Sequence, residues 1–132
     1  MKVFLDTNVL ISAVASRGLC TDVMREVLTS HELVVCEPLI KELQRNLKNK
    51  IKLSDELISE FISLLQSDSI FVKSEHVITI NGIDENDCKI LSCAIQGKAE
   101  VFVTGDKKLL DLHKNENLMI ISPREFWEKS KK

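Results

Sequence analysis

Leu33-Val34-Val35-Cys36-Glu37-Pro38-Leu39-Ile40-Lys41-Glu42-Leu43-Gln44-Arg45-Asn46-Leu47 changes its hydrophobic period part-way along. Leu33 to Cys36 is a continuous apolar run of strand length, whereas Leu39, Ile40, Leu43 and Leu47 recur on one face of a helix. Pro38 falls at the first helical position, where its missing N–H costs nothing. A strand that runs directly into a helix is half of a βαβ unit.

The pattern repeats on both sides of this stretch. Short apolar runs at Val3 to Leu5, Ile70 to Val72, Val101 to Val103 and Leu118 to Ile121 alternate with segments of helical period. That alternation predicts an α/β fold of three layers, α/β/α, with a central, mainly parallel sheet. One helix is expected from about Ser54 to Gln66, with Ser54 as N-cap and Leu57, Ile58, Phe61, Ile62 and Leu65 inward. Another is expected from Asp87 to Gln96, capped by Asp84 or Asn86, burying Ile90, Leu91, Ala94 and Ile95 and stopping at Gly97. Val77 to Ile80 reads equally as a short strand or a loop, and Ser130 to Lys132 as a frayed end.

The 132 residues, 44% hydrophobic and 29% charged, suit one globular domain spanning 1–132. No apolar run is long enough for a membrane span or a signal-peptide core, so a cytoplasmic location is expected. Cys20, Cys36, Cys88 and Cys93 form no CxxC pair, which argues against a zinc cage or a disulfide framework and for reduced, mostly buried thiols. The net charge of -2 excludes a uniformly basic coat but not a local basic patch.

Open parallel sheets bind ligands beyond the carboxyl ends of their strands, so acids that follow strands carry the most weight. Asp6 directly follows Val3 to Leu5, and Asp106 follows Val101 to Val103 through Thr104 and Gly105, a glycine expected to let the chain turn sharply. Asp87 precedes Ile90 and Leu91 by three and four residues and so occupies the buried stripe of its helix. Glu42 lies about one turn into the helix that leaves Cys36. If the strands bearing Asp6 and Asp106 are neighbours, four carboxylates converge, and they cannot all stay ionised without compensation. A hard divalent cation compensates them; oxygen donors without a nearby histidine or thiolate favour Mg²⁺ or Mn²⁺. Such ions suit phosphodiester chemistry.

Each acid also has a plainer reading. Asp6 and Asp106 are favoured helix N-caps, Asp84 and Asp87 have the spacing of an imperfect capping box, and Glu42 resembles a surface partner of Lys41 and Arg45. Asn8 and Thr104 are ordinary turn residues. Only the group as a whole carries the inference.

Four motifs together resemble the PIN domain, the nuclease fold of VapC-type toxins and related ribonucleases. They are Val3-Phe4-Leu5-Asp6-Thr7-Asn8-Val9-Leu10, Pro38-Leu39-Ile40-Lys41-Glu42-Leu43, Asp84-Glu85-Asn86-Asp87-Cys88-Lys89-Ile90-Leu91 and Val103-Thr104-Gly105-Asp106. The resemblance covers nearly the whole chain. It implies a metal-dependent endoribonuclease in which Asp6, Glu42 and Asp87 are the principal metal-site acids, Asp106 a further ligand or orienter, and Asn8 and Thr104 polar supports. It also makes Glu42 functional against its local reading. Glu85 replaces the family's proline in the third motif, and Cys88 stands where another acid often sits.

Lys41, Arg45, Lys48, Lys50 and Lys52 form a basic run; the first three lie along one side of their helix and make a phosphate track for RNA. The resemblance further implies a toxin with a small antitoxin partner and homodimerisation, while the short apolar runs lead to the expectation of no membrane partner. Two rivals remain. One is a non-catalytic nucleic-acid-binding module of the same architecture. The other is an aspartyl-phosphate phosphatase, which needs a second acid where this chain has Asn8.

Overall fold

The computed structural model describes residues 1–73 and 75–131. In chain order the elements are β1 (Lys2–Leu5), α1 (Thr7–Ala15), α2 (Leu19–Ser30), β2 (Glu32–Cys36), α3 (Glu37–Asn49), α4 (Asp55–Ser67) and β3 (Ile70–Val72). There follow α5 (Glu85–Gln96), β4 (Val101–Val103), α6 (Lys107–Leu110), β5 (Lys114–Asn115), β6 (Leu118–Ile121) and α7 (Pro123–Ser130).

The strands form one sheet in the order β3-β2-β1-β4-β6-β5, parallel except for the β5–β6 pair. Val3, Phe4 and Leu5 of β1, Leu33 to Cys36 of β2 and all of β4 are buried. Successive side chains of a strand point to opposite faces, so both faces of the sheet's centre are covered. Three layers, α/β/α, follow. Phe4 and Phe102 lie against each other across β1 and β4, with ring centroids 5.2 Å apart.

Strand order sets the position of the site. From β1 the chain moves to one side, through α1 and α2 to β2, then through α3 and α4 to β3; from β4 it moves to the other side, through α6 to β5 and β6. The gap at the carboxyl ends of β1 and β4 is therefore a topological switch point, the place where open α/β sheets bind ligands.

Helix α3 buries Leu39, Ile40, Leu43 and Leu47, as its spacing requires. It begins one residue before Pro38, which still lies in the first turn, where N–H groups have no helical partner. Helix α4 starts at its Ser54 cap and buries Ile58, Ile62 and Leu65, but Leu57 is 51% exposed. The inward stripe is narrower than the sequence implies. Helix α5 starts at Glu85, two residues earlier than expected, because Asp84 takes the cap and accepts from Asp87 N at 2.8 Å; Asn86 lies inside the first turn.

Val77 to Ile80 is a loop. Ile78 N donates to Ser92 Oγ at 2.8 Å and Gln96 Nε2 donates to His76 O at 2.5 Å, so side chains of α5 hold it in place of a ladder. Gly97 does end α5, but not by adopting a left-handed conformation; that falls to Lys98, at φ 57°. A Cβ on Gly97 would lie 2.6 Å from Val72 Cγ2 and 2.7 Å from Val34 Cγ1, so close packing against β2 and β3 requires glycine. Ser130 belongs to α7, its Oγ donating to Phe126 O at 2.9 Å, rather than to a frayed end; Lys132 lies outside the described residues. Cys36, Cys88 and Cys93 are buried and all four cysteines are free thiols.

Candidate active site

Because β1 and β4 pair with Leu5 opposite Val103, Asp6 and Thr104 emerge side by side at the sheet's edge. Asp6 N donates to Val103 O at 2.9 Å, which continues the ladder one residue past the strand. Thr104 Oγ1 donates to Asp6 Oδ2 at 2.7 Å and accepts from Asp106 N at 3.0 Å. One buried hydroxyl thus fixes one acid and turns the chain toward the second. Gly105 has no left-handed φ, and a Cβ there would meet nothing within 4 Å. The sharp turn expected of the glycine is made by the threonine instead.

The capping reading and the site reading are both true of Asp6 and Asp106. Asp6 caps α1, its Oδ1 accepting from Thr7 N at 2.8 Å, and Asp106 caps α6, its Oδ1 accepting from Lys108 N at 2.9 Å. A cap occupies one carboxylate oxygen and leaves lone pairs elsewhere on the group. Across the gap, Glu42 on α3 accepts a hydrogen bond at Oε2 from Asn86 Nδ2 of α5, and Asp87 follows Asn86 directly.

All four acids line one open cleft of about 350 Å³ with Thr7, Asn8, Asn46 and Lys50. Asp6 is only 5% exposed, and burial pushes its carboxyl up to about 6. The Thr104 and Thr7 hydrogen bonds pull it down, while the charges of Glu42 and Asp106 push it up further. Half-buried Asp87 is raised to about 7, by desolvation first and then by Asp84, Asp6, Asp106 and Glu42. None of the four forms an ion pair among the described residues. Like charges gathered in one cleft with raised carboxyl pKa values make it the candidate functional site.

The sequence-predicted cations divide. Lys41 and Arg45 line a neighbouring cleft that shares the Glu42 wall, and Lys41 pairs with Glu37 at 2.7 Å. Lys48 faces α4 instead, 3.6 Å from Asp55, so the three do not form one track. Lys50 is the cation that enters the acidic cleft. Asn46 and Lys50, four and eight residues after Glu42, were legible as members of its helix face. Asn8 is exposed at the cleft and makes no side-chain hydrogen bond among the described residues. Cys88 turns inward, 3% exposed, and adds nothing to the site's charge.

A family model described as PIN domain matches residues 2–108. The chain belongs to the PIN domain family. Among solved structures, this PIN domain is similar to a chain of the crystal structure of VapBC2 from Rickettsia felis bound to a DNA fragment from their promoter. The TM-score is 0.63 at 19% identity, over 92% of this chain and 98% of that one. No curated protein matches the sequence. The match over residues 2–108 contains all four acids, and the β5–β6 hairpin and α7 lie beyond it.

Whether this PIN domain's residues suit a divalent cation rests on their donors. The acids and hydroxyls of the cluster are oxygen donors, the acids carry excess negative charge, and Thr7 Oγ1 is a buried hydroxyl with no hydrogen-bond partner among the described residues. Among the described residues, no three His, Cys, Asp or Glu side chains stand close enough together to hold a metal ion as they are placed. An open set of that kind fits Mg²⁺, which keeps several waters and takes one or two carboxylates, better than an ion needing a full protein shell. The residues fit.

Proposed function

We propose that this PIN domain is a divalent-metal-dependent endoribonuclease that hydrolyses RNA phosphodiesters, acting as the toxin of a toxin–antitoxin pair. The observation that carries the reading is the convergence of Asp6, Glu42, Asp87 and Asp106 from four elements on one cleft, with two of the carboxyls raised toward neutrality. The fold similarity to a chain of the VapBC2 complex supports the pairing with an antitoxin; a homodimeric, cytoplasmic protein is part of the same proposal. No helix among the described residues is long and apolar enough to cross a membrane.

Asp6, Glu42 and Asp87 would hold the Mg²⁺ or Mn²⁺ ion, with Asp106 as a further ligand or orienter. Bound there, such an ion neutralises charge on the phosphate and makes water more acidic. Asp6 is the fixed point, held by Thr104 Oγ1 and Thr7 N in one orientation. Asn86 restrains Glu42 on the far wall. Lys50 Nζ and the Asn8 amide supply donors to a phosphate otherwise faced by acids, and Arg45 and Lys41 receive the RNA strand beyond Glu42. The reaction is direct hydrolysis: a water oxygen bonds to phosphorus, the bond from phosphorus to the leaving ribose oxygen breaks, and that oxygen takes a proton. No side chain becomes covalently attached.

The test is cleavage of a structured RNA panel by the purified protein with Mg²⁺ or Mn²⁺, beside Asp87→Asn. Metal-dependent cuts lost in the variant are expected. RNA that is bound but never cut by the wild type favours the non-catalytic module.

A further inference from the structure

The loop that leads into α5 ends in Ile80-Asn81-Gly82-Ile83, and Asn81 is the one asparagine of the chain that precedes a glycine. Ile83 N donates to Ile80 O at 3.1 Å, so the four residues make a β-turn with Asn81 and Gly82 at its corner. Gly82 has φ 85°, a conformation that glycine adopts without strain, and a Cβ there would meet nothing within 4 Å. Both corner residues are exposed. The turn's hydrogen bond uses neither of them: among the described residues, Gly82 N and the Asn81 side-chain amide make no hydrogen bond. The other asparagines differ on this point. After Asn8, Asn49 and Asn86 the next amide is already a donor: Val9 N to Asp6 O at 3.1 Å, Lys50 N to Asn46 O at 2.9 Å and Asp87 N to Asp84 Oδ1 at 2.8 Å. After Asn46, Asn115 and Asn117 the next residue carries a large side chain, Leu47, Glu116 or Leu118.

We propose that Asn81 is a site of spontaneous deamidation, a covalent modification with water as the only co-reactant. Asparagine is a thermolabile residue, and its lability depends on how readily the following backbone nitrogen reaches its side chain. Hydroxide removes the proton of Gly82 N, and that nitrogen bonds to Asn81 Cγ. The bond from Cγ to Nδ2 breaks, and the nitrogen leaves as ammonia after taking a proton from water. The product is a five-membered cyclic imide. Water then opens it at either carbonyl: breaking the new bond at Cγ gives aspartate, and breaking the original peptide bond gives isoaspartate, whose main chain runs through the former side chain. Each event adds one negative charge to the formal -2 of the chain, three residues before Asp84, the cap of α5. The inference stands apart from the ribonuclease reading, since the reaction uses none of the four acids.

The test follows the folded, full-length protein and its Asn81→Gln variant during prolonged incubation in EDTA at pH 6, 7 and 8. Glutamine keeps the amide but sets it one methylene further from Gly82 N, which disfavours ring closure. Samples are resolved by anion exchange and the modified position is read by peptide mass spectrometry, with a circular dichroism melt to show that each sample is folded. The expected result is a more acidic species in the wild type whose acid form lies at Asn81 before any other asparagine, present as both aspartate and isoaspartate, and formed faster as pH rises. The variant should lack that species. First modification at another asparagine, or an Asn81 as durable as Asn8, overturns the proposal. An Asn81 that reacts in urea but not in the folded protein overturns the claim that the turn leaves it open, and a rate independent of pH overturns the attack by a deprotonated Gly82 N.

Discussion

Replacing Asp6 by Asn should stabilise the metal-free protein at pH 8. Asp6 is 5% exposed and its carboxyl is raised from 3.8 to about 6, so keeping it ionised in the fold costs about 3 kcal/mol at 1.36 kcal/mol per pKa unit. Asparagine removes that charge and still accepts from Thr7 N, but its amide turns a donor toward Thr104 Oγ1, which loses an acceptor worth about 1 kcal/mol. The net gain is about 1–2 kcal/mol, roughly 3–10 °C in Tm for a chain of this size. The sign with pH follows from linkage. The folded pKa lies above the unfolded one, so the folded state binds more protons between them. The stabilisation that Asp6 provides is complete below pH 3.8 and is lost as pH rises through about 6. Urea unfolding in EDTA at pH 4.5, 6 and 8 reads this directly: the variant's advantage should grow with pH. Equal or lower stability of the variant at pH 8, or an advantage independent of pH, refutes the reasoning.

Divalent-ion affinity should fall as pH drops from 7.5 to 5.5, because Asp87 and then Asp6 take up protons that compete with the ion; calorimetric titration with Mn²⁺ at three pH values checks it. Asn86→Ala should lower kcat several-fold with little loss of fold, by releasing Glu42; a circular dichroism melt beside single-turnover cleavage separates the two effects. Gly97→Ala should destabilise by about 1–3 kcal/mol through the clash with Val34 and Val72, measured by urea unfolding. Ser122→Ala should cost about 1 kcal/mol by opening the capping box with Glu125 at the start of α7, by the same measurement.

What the sequence disclosed follows the strength of its periodicity. β2 and α3 were legible because a fully covered strand reads as an unbroken apolar run and the helix after it as a clean stripe. Helix α1 was legible only at its start, as a helix near Asn8 that Asp6 could cap, because Val9-Leu10-Ile11 gives no contrast of faces from which to follow it. Helix α7, whose single buried residue is Phe126, and β5, which has two residues, were not assigned. At the site, Asp6 and Asp106 were readable from their strands, since an acid after a central parallel strand lies at the sheet's edge wherever the helices go. Glu42 was not, because on α3 it is locally indistinguishable from a surface glutamate; only the family motif singled it out. The Thr104 hydroxyl that bridges Asp6 and Asp106, and the Asn86 tether to Glu42, depend on strand order and helix packing that no local pattern encodes.

The most direct test of the four-acid centre is one cleavage experiment on single-stranded RNA with Mn²⁺, run for the wild type, for the wild type in EDTA and for Asp6→Asn. Cuts at defined positions in the first reaction alone, with the variant folded at least as stably as the wild type, are the predicted result. Cleavage that survives EDTA, or an Asn variant that cuts at the wild-type rate, would contradict the account.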